Sequence, residues 1–81
     1  MSALDDVWSG TALTALAGLT GEQRDQVEAL VRALCRDPDA ASAPVAGVAG
    51  LRVGYADGVA VYFRLDLLGE LLYVARVEAR G

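Results

Sequence analysis

Residues 50 to 81 predict three consecutive β-strands that carry apolar side chains on both faces. The segment is dense in Val, Leu, Tyr and Phe, and turn signals interrupt it only at Asp57-Gly58 and around Gly69. A sheet of this kind cannot stand in water uncovered, because exposing two apolar faces is unfavourable. The remaining residues of this 81-residue chain can supply one cover, and we expect another polypeptide to supply the second.

The hairpin at Asp57-Gly58 defines the expected register of this sheet. Asp-Gly is typical of a type I′ turn, in which both central residues have positive φ, and a tight turn places Ala56 opposite Val59. One face then carries Arg52, Gly54, Val59, Val61, Phe63 and Leu65, and the other carries Leu51, Val53, Tyr55, Ala60, Tyr62 and Arg64. In the third strand Leu71, Tyr73, Ala75 and Val77 alternate with Leu72, Val74, Arg76 and Glu78. A bulge would exchange part of these sets.

The second of these faces is the better candidate for an exposed surface, since Tyr and Arg are enriched at interface hot spots. The predicted partner-binding residues are Tyr55, Tyr62, Arg64, Tyr73 and Arg76. A plain structural role is the alternative for each of them. The arginines Arg52, Arg64 and Arg76 would then pair with Asp57, Asp66 and Glu78, and the tyrosines would be ordinary packing residues.

Two helices are predicted in the first half of the chain. Ser9 is a plausible N-cap of a first helix that ends around Gly18 to Gly21. Thr20 and Gln23 form a capping box for a second helix, which ends at Asp37-Pro38. Its apolar stripe is Val27, Leu30, Val31, Leu34 and Cys35. A short strand is expected from Leu4 to Trp8, where Asp5 and Asp6 indicate an edge position or a frayed start, and another strand is expected around Val45 to Val48 within the small-residue connection.

The composition excludes several kinds of chemistry. The chain has one cysteine, Cys35, and no histidine, so we expect no metal site and no cofactor, and we expect Cys35 to pack against the core. All seven cations are arginines and the net charge is −4, which argues against strong direct binding of nucleic acid. The longest uncharged stretch is shorter than the roughly 20 residues of a membrane span. Acids at the N-terminus replace the cations of a secretory signal, so a cytoplasmic protein is expected.

Five short motifs follow one another along nearly the whole chain. They are Val7-Trp8-Ser9 with Ala12, Leu16 and Leu19; the run from Leu34 to Asp37-Pro38; Gly50-Leu51-Arg52-Val53-Gly54; Tyr62-Phe63-Arg64-Leu65-Asp66; and Val74 to Arg80. In this order and spacing they resemble the RelE/ParE superfamily of bacterial toxins. The resemblance implies a single α+β domain over residues 1 to 81, with a short N-terminal strand, an antiparallel helix pair and a three-stranded antiparallel meander packed on the helices.

The resemblance also implies a function. Members are toxins of type II toxin–antitoxin systems, so the chain is expected to bind a cognate antitoxin through its sheet face and to act on gyrase or on the translation machinery, including the ribosome. An antitoxin segment would cover the open side of the sheet, either by strand addition or as a helix in a groove. The residues that correspond to family site positions are Arg52 and Arg80, and Tyr62 is a phenolic group nearby; these are the predicted catalytic residues.

The chain departs from the nuclease members at several positions. Those enzymes hold RNA and stabilise its developing charge with clustered Lys and Arg. Here the connection before Leu51 has no Lys, Val59 or Ala60 stands where an Arg is expected, and Ala79 stands where a His or Lys is expected. Cleavage would lack a base near neutral pH, so the sequence favours a protein that is not an enzyme and leaves a metal-independent ribonuclease open. The alternative function is an inactive module of the same fold that homodimerises.

Overall fold

The computed structural model describes residues 3–80, and it is an α+β fold of two helices and one five-stranded sheet. The elements are β1 (Asp5–Trp8), α1 (Gly10–Ala17), α2 (Gly21–Arg36), β2 (Ser42–Pro44), β3 (Arg52–Tyr55), β4 (Val59–Asp66) and β5 (Leu71–Ala79). The predicted fold class is confirmed. Met1 and Ser2, which begin the acidic N-terminal segment, and Gly81, which ends the predicted sheet segment, lie outside the described residues.

Both helices begin and end where the sequence signals predict. The Ser9 side chain accepts a hydrogen bond from the Ala12 N–H at the start of α1. At the start of α2 the Thr20 and Gln23 side chains each accept from the other's backbone N–H, which completes the capping box. The α2 helix ends at the residue before Asp37-Pro38 because a proline disfavours helical geometry in the residue that precedes it. Neither helix in the described range is long and apolar enough to cross a membrane.

The sheet has the strand order β1-β5-β4-β3-β2. Strand β1 pairs with β5 in parallel, and every other neighbouring pair is antiparallel. The expected meander is therefore the centre of a larger sheet, with β1 at one edge, as predicted, and β2 at the other. The polar start of β1 agrees with its edge position, since Asp5 and Asp6 are both exposed.

The strand predicted around Val45 to Val48 is wrong, because the observed strand β2 precedes it. Residues 45–50 form turns instead, in which Gly47 and Gly50 have φ values of 81° and 79°. Positive φ bends the chain out of the extended conformation, and glycine adopts it without steric cost. The Val45 N–H donates to the Leu51 carbonyl oxygen and closes the loop.

The hairpin between β3 and β4 has the predicted register but not the predicted turn type. Ala56 lies opposite Val59, with its N–H donating to the Val59 carbonyl oxygen at 3.0 Å. Neither Asp57 nor Gly58 has positive φ, so the turn is not type I′. The glycine is needed for space: the Gly58 N–H donates to Gln26 Oε1 on α2, and a Cβ at this position would lie 2.8 Å from that oxygen.

The core lies between the two helices and one face of the sheet. Phe63, Val59, Val61, Leu72 and Val74 are fully buried there, against the stripe of α2. α1 packs mainly on β5, and α2 packs mainly on β4. The predicted apolar stripe is confirmed, since Val27, Leu30, Val31, Leu34 and Cys35 are all buried.

A β-bulge changes the face assignment within β5. Tyr62 pairs with Arg76 but Phe63 pairs with Val74, so Ala75 is an additional residue in β5. Strict alternation along β5 is therefore wrong: Leu72, Val74 and Val77 all face the core, whereas Tyr73, Arg76 and Glu78 face away from it. The surface opposite the helices is here called the open face. It consists of Val53, Tyr55, Ala60, Tyr62, Arg64, Tyr73, Arg76 and Glu78.

Candidate functional site

All the predicted partner-binding residues lie on the open face, in three adjacent strands. Tyr55 comes from β3, Tyr62 and Arg64 from β4, and Tyr73 and Arg76 from β5. The register places Arg64 beside Tyr73 and Tyr62 beside Arg76. Without the bulge at Ala75, Tyr73 and Arg76 would point to opposite sides of the sheet. The bulge therefore brings these two residues onto one surface.

The centre of the open face is already covered by the longer side chains around it. Val53 and Ala60 are buried, with exposed fractions of 7% and 3%. The Arg80 guanidinium lies over the Tyr55 ring, 4.7 Å from its centroid, and the Arg76 guanidinium lies 5.9 Å from the centroid of Tyr62. These distances suit cation–π attraction. The face is thus not a bare apolar surface, but an array of tyrosines and arginines over a small apolar floor.

Two tyrosines remain accessible on this face. Tyr55 is 54% exposed and Tyr73 is 40% exposed, whereas Tyr62 between them is half-buried. A tyrosine presents an apolar ring and a hydroxyl together, so it can bury area against a partner and still satisfy a polar group. The accessible part of the open face is therefore suited to binding a polypeptide.

The three predicted catalytic residues are not brought together. Arg52 pairs with Phe63, and its side chain lies on the same side of the sheet as the core, at the edge of the sheet. Its Nε donates to Ser42 Oγ at 3.0 Å, its Nη2 donates to the Ser42 carbonyl oxygen at 3.3 Å, and Nη2 lies 3.3 Å from Asp39 Oδ1. These contacts give Arg52 a role in holding β2 on β3.

Tyr62 and Arg80, in contrast, both belong to the side of the open face. Arg80 Nη1 donates to the Ala56 carbonyl oxygen at 2.9 Å, and the Arg80 N–H donates to the Gly58 carbonyl oxygen. Arg80 therefore closes the end of the hairpin between β3 and β4 while stacking on Tyr55. Tyr62 has Arg76 and Glu78 as its charged neighbours.

The electrostatics around Tyr62 favour a protonated phenol. The neighbouring Glu78 carboxylate is the main cause that raises the pKa of the Tyr62 hydroxyl, and loss of hydration adds to it. Arg76 opposes this shift, but its Nη2 lies 2.6 Å from Glu78 Oε2. With a raised pKa, Tyr62 can donate a hydrogen bond near neutral pH and is a poor proton acceptor.

The alternative prediction, that three arginines form ion pairs with carboxylates of the sheet, is confirmed for one pair. Arg76 pairs with Glu78, but Arg52 contacts Asp39 rather than Asp57. Arg64 Nη1 donates to the Ala49 carbonyl oxygen at 3.0 Å, so it contacts the connection before β3. Arg64 is nevertheless exposed, and its guanidinium keeps free donor positions for a partner.

Sequence reasoning missed a pocket between this connection and the sheet edge, here called the connection pocket. It has a volume of about 650 Å³, and its main lining residues are Pro44, Val45, Val48, Leu51, Arg52 and Leu65. The signal was the repeated Val-Ala-Gly of residues 45–50. Two glycines with positive φ turn this segment back on itself and leave its two valines beside Leu51 and Leu65.

Cys35 is buried on the inner face of α2, as predicted. Burial raises the pKa of its thiol, and the nearby carboxylates of Asp6 and Asp5 raise it further. A thiol with a raised pKa is a weak nucleophile at neutral pH, so the environment fits a packing role. Among residues 3–80, no group of three or more Cys, Asp or Glu side chains is arranged to hold a metal ion.

Comparisons with known proteins find similarity at the level of structure. No protein-family model matches the sequence. No curated protein matches it either. A chain of the toxin–antitoxin complex RelBE2 from Mycobacterium tuberculosis superposes with a TM-score of 0.90 at 21% identity, covering 99% of this chain and 94% of that one.

Two structures from E. coli are also similar. The isolated RelE toxin has a TM-score of 0.82 at 14% identity and covers 98% of this chain and 86% of that one. The intact RelBE toxin–antitoxin complex has the same TM-score and identity, with coverages of 98% and 99%. This chain therefore has the RelE toxin fold, which agrees with the resemblance read from its motifs.

Proposed function

We propose that this chain is the toxin-like component of a bacterial type II toxin–antitoxin system and that a cognate antitoxin binds its open face. The observation that carries the proposal is the near-complete structural likeness to RelE toxins, which leaves almost no residue of this chain outside the shared fold. Two of the similar structures are toxin–antitoxin complexes. The open face supports the same function, because it combines accessible tyrosines with arginines.

The chemistry of the open face indicates what kind of segment would bind. Tyr55 and Tyr73 supply ring area for apolar anchors of the partner. Arg64, beside Tyr73, supplies guanidinium donors for a carboxylate. Arg76 is already paired with Glu78, so it contributes less to a partner's charge. The expected ligand is an antitoxin segment that carries apolar side chains next to an acidic one.

The target of the proposed toxin is a macromolecule, either gyrase or the translation machinery, and binding is favoured over RNA cleavage. Arg52 lies on the other side of the sheet from Tyr62 and holds β2. Tyr62 is protonated near neutral pH, as a phenol with an ordinary pKa of about 10 already is, and its raised pKa reduces the phenolate fraction further. A net charge of −4 also opposes close approach of RNA phosphates. These features support a toxin that acts by occupying its target.

Co-expression with the product of the neighbouring gene tests the antitoxin part of the proposal. A tagged chain should copurify with that product, and Tyr73→Ala should weaken the complex by roughly 10-fold or more, as expected for an aromatic hot spot. Leu13→Ala is the matched control, since Leu13 is an exposed apolar residue on α1, away from the open face. Equal binding by both variants and the parent chain would show that the antitoxin does not bind the open face.

Expression of the chain alone tests the toxin part. Growth should slow without the neighbouring gene and recover with it. A purified chain that neither affects growth nor binds the neighbouring product, but forms a dimer that Tyr73→Ala dissociates, would favour the homodimerising module instead. In that case the open face would bind a second copy of the chain.

A further inference from the structure

The turn between β4 and β5 presents two adjacent leucines to solvent. Leu67 is 71% exposed and Leu68 is 101% exposed, and together they are here called the leucine tip. The turn that carries them is well defined, because the Gly69 N–H donates to Asp66 Oδ1 at 3.0 Å and the Glu70 N–H donates to the Leu67 carbonyl oxygen at 3.4 Å. Two apolar side chains held outward on a hydrogen-bonded turn form a knob that a pocket could receive.

The connection pocket belongs to the same surface patch as the leucine tip. Leu65 lines the pocket and lies only two residues before Leu67 in the chain, so roughly 7 Å of strand separates their backbones. The rest of the pocket wall is mostly apolar, from Val45, Val48 and Leu51. A patch that contains both a knob and a pocket is self-complementary. Self-complementarity is the condition for a two-fold symmetric contact, in which the leucine tip of each copy enters the connection pocket of the other.

The charges around the two features are of opposite sign. Asp66 and Glu70 flank the leucine tip, and both are exposed. Arg52 lines the connection pocket but is paired with Asp39, so the main positive charge is Arg64, which donates to the Ala49 carbonyl oxygen in the pocket wall. When the tip of one copy approaches the pocket of another, its carboxylates therefore meet guanidinium groups, which steers the encounter in this orientation.

We propose that two copies of the chain associate by reciprocal insertion of the leucine tip into the connection pocket. The occupant of the pocket is thus a second copy of this protein. The contact is small compared with stable dimer interfaces, so a transient, concentration-dependent dimer is expected. The proposal does not rest on the proposed function, because Arg64 is the one residue named in both, and Tyr55, Tyr62 and Tyr73 of the open face belong neither to the leucine tip nor to the connection pocket.

Sedimentation of the purified chain over a concentration series measures this association. Leu68→Asp removes the tip and Val48→Asp blocks the pocket, and each should weaken self-association by 10-fold or more. Leu13→Asp, at an exposed leucine of α1, should leave it unchanged. Circular dichroism identifies any variant that fails to fold, in which case Leu67→Asp replaces Leu68→Asp.

Mixing the two variants gives the sharper result. The Leu68→Asp chain keeps its pocket and the Val48→Asp chain keeps its tip, so a heterodimer retains one of the two contacts while neither homodimer retains any. Association in the mixture should therefore exceed that of either variant alone. A parent chain that stays monomeric at every concentration, or a mixture no stronger than its components, would overturn the proposal. Tyr73→Ala should leave this self-association intact. A result against antitoxin binding at the open face can therefore be distinguished from a result against the dimer.

Discussion

The Ser9 hydroxyl donates a hydrogen bond to the Ala75 carbonyl oxygen at 2.9 Å. It also accepts one from the Ala12 N–H at 3.0 Å, and the Ser9 N–H donates to the Val74 carbonyl oxygen. Ala75 is the additional residue of the bulge that places Tyr73 and Arg76 on one face. The cap of α1 therefore holds β5 at the point where its side chains change alternation.

Ser9→Ala removes both hydrogen bonds of this hydroxyl. Loss of an N-cap costs about 0.5–2 kcal/mol. Loss of the second bond adds about 0.5–1.5 kcal/mol. We expect the free energy of unfolding, measured with urea, to fall by about 1–3 kcal/mol. Ser9→Thr should retain most of the parent's free energy of unfolding, because it keeps the hydroxyl. Thr14→Ala, at an exposed position of α1, should have little effect. A Ser9→Ala chain as stable as Thr14→Ala would show that neither the cap of α1 nor the bond to Ala75 contributes to stability.

Local signals in the sequence predict much of the fold. Some features depend on neighbouring residues only, and the structure confirms each of them. They are the caps Ser9 and Thr20, the end of α2 before its proline, and the register of the Asp57-Gly58 hairpin. The turn type at Asp57-Gly58 was not predictable in this way. At this turn the Gly58 N–H donates to Gln26 Oε1, a contact with α2 that the neighbouring residues do not reveal.

The candidate site depends more on long-range pairing. Tyr and Arg composition pointed to the face that the helices leave uncovered, but alternation alone separated Tyr73 from Arg76, because nothing in residues 71–79 marks Ala75 as a bulge. The Ala75 carbonyl oxygen in the bulge accepts a hydrogen bond from Ser9, which is distant in the sequence. The connection pocket was missed for a similar reason, since it requires two turns and the contact of Arg64 with Ala49.

Gly54→Ala should destabilise the protein, because Gly54 lies under α2 without room for a side chain. A Cβ there would lie 3.1 Å from the Ala41 carbonyl oxygen and 3.2 Å from Leu34 Cδ1. Overpacking of this kind costs about 1–3 kcal/mol. Gly10→Ala is the control, since the added methyl meets no atom within 4 Å apart from its chain neighbours and the backbone of its own helix. Chemical denaturation compares the two, and a Gly54→Ala chain of unchanged stability would mean that α2 moves away from β3 without cost.

Arg52→Ala tests whether Arg52 is a structural residue. It removes the contacts with Ser42 and Asp39 that hold β2, and hydrogen bonds to charged groups contribute about 1.5–3 kcal/mol. We expect a loss of this size in urea unfolding, with Arg52→Lys intermediate because it keeps the charge without the planar fork. Asp39→Ala should cost less than about 1 kcal/mol, since Asp39 is largely exposed. Full stability of Arg52→Ala would contradict this role.

Burial of Cys35 predicts a loss of stability at alkaline pH. The pKa of its thiol is raised in the folded chain, so the folded state holds its proton at pH values where the unfolded chain has lost it. The contribution is complete below the ordinary thiol pKa of about 8.5 and declines as the pH rises through the folded value. The chain has no Lys or His, so Cys35 is the side chain whose ordinary pKa lies inside this window.

Urea unfolding at intervals from pH 7 to pH 9.5 follows this decline. The parent chain should lose stability steadily above about pH 8.5, the ordinary thiol pKa. Cys35→Ala should be less stable at pH 7, because a buried sulfur is lost, but its free energy of unfolding should change less with pH. Tyr62→Phe serves as the control for phenol ionisation, and it should keep the parent's decline below pH 9.5 because the Tyr62 phenol ionises only near pH 10 in the unfolded chain and its pKa is higher still in the fold. Parallel pH profiles for the parent and Cys35→Ala would show that the thiol ionises as easily in the fold as in the unfolded chain.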